Sequence, residues 1–156
     1  MFEIDVPGFG LVRLEHLVTD FTGTLSVDGM LVPGIREQLG KIAEFLKVHV
    51  VTADTFGKAR GELEGVNCEF HLLHGEDHDV QKKDYVTKLG TEKVVALGNG
   101  NNDRKMLKVV RIGIVVCLKE GCSKDALTSA DILVTSANDA LDLLLNPKRL
   151  KATLRF

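Results

Sequence analysis

Apolar positions along the chain follow two alternating rhythms. Short runs rich in β-branched residues, "LVRLEHLVTDF", "VHVVTA", "CEFHLLH", "KVVALG", "RIGIVVCL" and "DILVT", read as strands. Between them, "PGIREQLGKIAEFLK", "DTFGKARGELEG", "DVQKKDYVTKLG", "NNDRKMLKVV" and "CSKDALTSA" place apolar residues at helical spacing. The segment "ANDALDLLLNPKRLKATLRF" does the same on both sides of Pro147. Strand and helix alternate, and several strands are apolar on both faces. That pattern predicts an α/β fold, a parallel sheet with helices on both faces. Ahead of the first strand, "FEIDVPGFG" carries a Pro7-Gly8 turn and predicts a hairpin added at the sheet edge. No internal repeat or low-complexity linker interrupts the alternation.

Composition narrows the picture. A chain of 156 residues, 44% hydrophobic and 27% charged, fits one soluble domain spanning 1–156. No window approaches the roughly 18 uncharged apolar residues of a membrane span. After Met1 the chain reaches Glu3 and Asp5 before any apolar run of signal-peptide length, so a complete cytoplasmic protein with no membrane partner is expected. Cys68, Cys117 and Cys122 lack C-x-x-C spacing and an even-numbered framework, and read as reduced thiols. A net charge of -2, one Tyr and no Trp leave neither a basic stripe nor stacking platforms. No nucleic acid partner is expected.

In parallel sheets ligands bind beyond the carboxyl ends of the strands, near the point where strand order reverses. The residues there are Asp20, Thr52 to Asp54, His74 to Asp77, and "GNGNND" from Gly98 to Asp103. A carboxylate such as Asp20 can be a nucleophile, a metal ligand or a helix N-cap. Gly23 follows too soon for a helix, so the chain reads as a turn and flap up to Pro33. Thr52 offers a hydroxyl to a phosphate oxygen beside the free N–H groups of the next helix, although Thr52 or Asp54 serves equally as that helix's cap. Lys82 and Lys83 stand near the front of a helix, where an anion would offset the macrodipole, and a solvated lysine is the simpler account of either. In "GNGNND", Asn99, Asn102 and Asp103 present oxygens to a hard cation, and the plain alternative is a capped turn. Two carboxylates, Asp20 and Asp103, suit magnesium.

Taken together these segments resemble the haloacid dehalogenase superfamily. "DFTGTLS" is similar to its first motif, with Thr22 in place of the usual second Asp, as in the phosphorylation motif of P-type ATPases. "VVTAD" resembles the second, "KKDYVTKL" the third with Lys82 favoured over Lys83, and "LGNGNNDRKML" the fourth, followed by "TSADILV". The resemblance implies a Rossmann-like sheet and two-step phosphoryl transfer from a small phosphorylated substrate. Asp20 would be the nucleophile, and Mg2+ would be held by Asp20, the Thr22 carbonyl, Asn99 and Asp103, the last through a water. Thr52, Ala53, Lys82 and Asn102 would bind the phosphoryl group.

Three departures from the family pattern matter. Thr22 cannot supply the general acid and base of family phosphatases, help typically worth about 10²–10⁴ in rate. Asn99 removes one formal charge from the metal set, and Phe21 stands where the pumps carry Lys. Only 31 residues separate Asp20 from Thr52, and 29 separate Thr52 from Lys82, so no large cap fits. The expectation is a capless, P-type-ATPase-like soluble phosphohydrolase. Its flap, "SVDGMLVPG", offers Met30, Leu31 and Val32 as apolar surface for a neighbouring copy in a homo-oligomer, with packing inside the monomer as the equal alternative. Two alternatives remain: a phosphate-accepting regulatory module, kept open by Thr22 and Asn99, and a degenerate dinucleotide loop at "GNGNND" with Glu120 for the ribose. Asp103 at the third glycine position weakens the second.

Overall fold

A computed structural model describes residues 1–156. Strands β1 (Phe2–Val6) and β2 (Gly10–Leu14) pair antiparallel, Val6 facing Gly10 across the predicted turn. Strand β3 (His16–Thr19) leads to a flap made of β4 (Ser26–Val27) and β5 (Met30–Leu31). The flap turns on Asp28-Gly29, both with positive φ (52° and 81°), as a two-residue hairpin of Asp-Gly type requires. There follow α1 (Ile35–Ile42), β6 (Lys47–Thr52), α2 (Ala59–Glu62), β7 (Glu69–Leu72), α3 (His78–Leu89) and β8 (Val94–Gly98). A 3-10 turn at Asn101–Asp103 opens α4 (Arg104–Val109), and β9 (Ile112–Val116), α5 (Lys124–Ser129), β10 (Ile132–Val134), α6 (Ala137–Leu145) and α7 (Pro147–Leu154) complete the chain. Pro147 stands at the first position of α7, where its missing N–H costs nothing.

Six strands form one parallel sheet in the order β10-β9-β8-β3-β6-β7. The chain runs outward from β3 through β6 and β7, then returns to lay β8 on the other side of β3. Strand order therefore reverses between β3 and β8, and the crevice at their carboxyl ends is the natural ligand site. The larger core lies on the face covered by α1, α2, α6, α7 and the first hairpin, and includes Leu17, Val50, Leu97 and Ile114. The smaller core, with Val18, Val51, Ala96 and Val115, lies under α3, α4 and α5. Burial on both faces explains the unbroken apolar runs of β8 and β9. No cap domain is inserted, since the segments after β3 and after β6 hold only the flap and α1, then α2 and β7.

Two expectations are corrected. The first hairpin is a separate two-stranded sheet rather than an addition to the sheet edge. It feeds directly into β3, whose two sides are taken by β6 and β8, and Glu15 is already bonded to Lys47 and Lys93. The helix expected from Asp54 onward starts only at Ala59. Asp54 takes a left-handed backbone (φ 53°), and its carboxylate caps the helix by accepting from the N–H groups of Lys58 and Ala59, both at 3.0 Å.

Candidate active site

The last bond from β3 toward β8 holds Asp20 at the crevice, its N–H donating to the Leu97 carbonyl at 3.0 Å. Phe21 is fully buried in the larger core, and its carbonyl accepts from Leu25, Ser26 and the Ser26 hydroxyl. The flap thus hangs from an apolar anchor, which accounts for Phe21 where the pumps carry Lys.

Lys82, in the second turn of α3, points into the crevice and is fully buried, whereas Lys83 is exposed. Its ammonium lies 3.0 Å from Asp20 Oδ1 and 2.7 Å from Asp103 Oδ1. The other oxygen of Asp103 accepts from the N–H groups of Asn99 (2.8 Å) and Gly100 (3.0 Å). Gly98 makes this packing possible, because a Cβ there would stand 2.4 Å from Asp103 Cγ. With both oxygens engaged and the residue fully buried, Asp103 fixes the turn after β8 and Lys82 together. Any magnesium contact of Asp103 would then pass through a water.

The Asn99 amide is the hinge of the site. Its inward-facing end lies 3.0 Å from the Thr22 carbonyl oxygen, 3.3 Å from Asp20 Oδ2 and 3.2 Å from Thr24 Oγ1. With nitrogen facing inward, the amide donates to these oxygens. With oxygen inward, oxygens of Asp20, Thr22 and Asn99 crowd together and call for a cation between them. Magnesium binds oxygens at about 2.0–2.1 Å in an octahedron, whose edges are near 3 Å, so the residues present fit this ion.

Burial pushes the Asp20 carboxyl up to about 6, and Asp103 adds to that against the pull of Lys82. Burial also draws Lys82 down, but Asp103 and Asp20 carry its ammonium above the ordinary range. Two carboxylates thus share one fixed ammonium, a charge arrangement that a divalent cation would complete.

Thr52 is buried at the end of β6, but its Oγ1 accepts from the Asp54 N–H at 2.9 Å instead of lying against a helix start. Its own proton stays free to donate. Ala53 and Asn102 are half-buried, and Asn102 lines a polar cleft with His78 and Arg104. Thr22 Oγ1 is buried without a hydrogen-bond partner. Of the three apolar flap residues expected to face a neighbour, only Met30 is exposed, at 53%, while Leu31 and Val32 pack against the larger core. Sequence reasoning missed Thr24, fully buried, whose hydroxyl reaches Asp20 Oδ2 (3.4 Å) and Asn99 (3.2 Å). The one available signal was its place beside the first motif. It also missed the turn after β9, where the Gly121 carbonyl accepts from Asn99 Nδ2 at 3.3 Å and the Ser123 N–H donates to the Asn99 carbonyl at 2.8 Å.

No protein-family model matches the chain. An uncharacterized protein of Methanocaldococcus jannaschii is 53% identical over 64 residues, covering 41% of this chain and 69% of that protein. A phosphoserine phosphatase of Lactococcus lactis is 34% identical over 98 residues, covering 58% of this chain but only 43% of the relative. Among solved structures, the cobalt-bound form of deoxy-D-mannose-octulosonate 8-phosphate phosphatase from Haemophilus influenzae superposes with a TM-score of 0.68 at 13% identity, over 92% of this chain and 94% of that one. The 3-deoxy-D-manno-octulosonate 8-phosphate phosphatase of Moraxella catarrhalis, in complex with magnesium, phosphate and its KDO molecule, gives 0.63 at 17% identity over 91% and 94%. The chain shares the α/β fold of these phosphatases over nearly its whole length, with strand-end segments meeting at one crevice and no cap inserted.

Proposed function

We propose that the protein is a magnesium-dependent phosphohydrolase of small phosphomonoesters, acting through an aspartyl phosphate on Asp20. The observation that carries this reading is the buried Asp20–Lys82–Asp103 chain at the strand switch, with Asp20, Thr22 and Asn99 oxygens converging beside it. Both phosphatases named above as solved structures act, by name, on a phosphomonoester, and one holds magnesium and phosphate.

Asp20, the Thr22 carbonyl and Asn99 would hold the ion, which when bound neutralises charge on the phosphoryl oxygens. Asp20 attacks phosphorus through a carboxylate oxygen as the bond to the ester oxygen breaks, and the departing oxyanion takes its proton from water. Lys82 keeps Asp20 ionised despite its burial and meets the transferring phosphoryl group with fixed positive charge. Thr52 donates its free hydroxyl proton to a phosphoryl oxygen, and Ala53 and Asn102 would add further contacts to the phosphoryl group. Water then cleaves the acyl phosphate. No acid stands at position 22 to assist either step, so dephosphorylation is the slow half of the cycle. That deficit supports a second reading, a module that accepts phosphate and turns over little.

The test is incubation with an aryl phosphate and magnesium, with Asp20→Asn alongside. Steady release that the substitution abolishes without unfolding supports the hydrolase. A single stoichiometric burst supports the module. Release by Asp20→Asn at the parental rate removes Asp20 from the mechanism.

A further inference from the structure

Two of the three cysteines sit together on the turn that braces Asn99. Leu118 and Gly121 pair antiparallel between β9 and α5, and the Gly121 N–H donates to the Leu118 carbonyl at 3.0 Å. Cys117 and Cys122 are the next residues outward on the two arms, so they oppose each other on one side of the ribbon. Directly opposed antiparallel residues have Cα atoms about 4.5–5.5 Å apart, inside the window of about 4.4–6.8 Å that a disulfide accepts. Both thiols are partly exposed and within reach of a small reagent.

This turn is fastened to the candidate site at three points. Gly121 and Ser123 hold the two ends of Asn99, and the Glu120 carboxylate accepts from the N–H of Asp28 at the flap tip, at 3.1 Å. Closing a covalent bond between the two sulfurs shifts the arms that carry Gly121 and Ser123, and with them the direction of the Asn99 amide.

We infer that Cys117 and Cys122 form a reversible dithiol–disulfide modification site whose oxidation weakens magnesium binding by turning Asn99 away from Asp20 and Thr22. The thiol half stands on the turn alone, and the magnesium half rests on the function proposed above. The oxidant is a small disulfide such as oxidised glutathione. One cysteine thiolate attacks a glutathione sulfur and displaces the first glutathione as a thiolate, which takes up a proton. The second cysteine thiolate then attacks the mixed disulfide and expels the second glutathione. The products are one protein disulfide and two reduced glutathiones, two electrons having passed from protein to oxidant. Burial, then the neighbouring Cys117, raises the Cys122 thiol above its ordinary range, so the exchange is slow at neutral pH and faster in mild alkali.

The experiment uses the Cys68→Ser protein, which leaves only this pair. It is treated with excess oxidised glutathione in mild alkali, then assayed by thiol titration after denaturation, by intact mass, and by calorimetric titration with magnesium alone. Both thiols should disappear, with the mass falling by two hydrogens and no glutathione retained, and a reductant should reverse the change. Magnesium affinity should fall about tenfold, the scale of losing a group that orients a metal ligand. With Cys117→Ser added, Cys122 should retain one glutathione instead. A stable glutathione adduct without the internal bond, or two surviving thiols, overturns the pairing. A disulfide that leaves magnesium affinity unchanged overturns the coupling. If the reduced protein binds no magnesium at all, the proposed function fails and takes the coupling with it, while the mass result still decides the pairing.

Discussion

Replacing Lys82 with Met keeps most of the volume of a fully buried side chain and removes the one cation shared by Asp20 and Asp103. At an effective dielectric of about 20, contacts of 3.0 and 2.7 Å are worth roughly 5.5 and 6 kcal/mol of Coulomb attraction. The net cost is smaller, because burying the ammonium was itself unfavourable and an abandoned carboxylate can take up a proton. Breaking a buried pair typically costs about 3–5 kcal/mol, and that is the expected loss at pH 8. The sign with pH follows from the carboxylates. Asp20 already titrates above its unfolded value and rises further once Lys82 is gone, so the variant approaches the parent near pH 4 and falls behind as pH rises through the shifted value. Magnesium should restore part of the deficit, about 2.7 kcal/mol at a hundredfold excess over its dissociation constant. The assay is urea unfolding across pH, with and without magnesium, alongside phosphate release, which should fall by about 10²–10³. A loss under about 1 kcal/mol at pH 8, or a deficit that grows toward acid, would refute the reasoning.

Thr22→Asp should speed the loss of alkali-labile phosphate roughly tenfold at saturating magnesium, with the gain fading at low magnesium because the new carboxylate adjoins Asp20; equal decay rates would clear Thr22 of limiting turnover. His49, almost fully buried between His16 and Tyr85, is held by burial at about 4, below its ordinary value. A depressed histidine contributes stability above its unfolded pKa and loses it toward acid, so unfolding free energy should drop by at most about 3 kcal/mol between pH 6.5 and 4, and His49→Gln should flatten that slope. If the exposed Met30 on the flap and the nearby Phe56 cover a neighbour's site, sedimentation should show a homo-oligomer that Met30→Glu dissociates; a fully active monomer would count against it.

The parts of the site that could be read from the sequence lie at strand ends, where topology does the gathering. Asp20 and Lys82 are 62 positions apart, yet a parallel sheet with its switch beside β3 leaves the strand-end loops little choice but to meet. What escaped were contacts that depend on local backbone hand or on which arms oppose. The shortening of α2 follows from a left-handed Asp54, invisible to apolar periodicity. Thr24 and the turn of Cys117 and Cys122 contact Asn99 through packing between segments that no spacing links.

The substitutions at positions 22 and 99 also gain a meaning that sequence alone could not supply. Asp20 and Asp103 contribute two negative charges and Lys82 one positive, so the crevice carries about one net negative charge before any ion binds. Carboxylates at positions 22 and 99 would bring this to three. A divalent ion on the present set leaves one net positive charge facing an incoming phosphate dianion, a balance that favours holding the phosphoryl group over expelling it. On the proposed function, Thr22 would slow the second half of the cycle for lack of a proton carrier, and Asn99 would slow it again by leaving the phosphorylated form well neutralised. Restoring either carboxylate alone should therefore move turnover less than restoring both. The double variant Thr22→Asp with Asn99→Asp should exceed the product of the two single effects on the decay of the phosphorylated protein, and a strictly multiplicative result would mean that the two positions act independently.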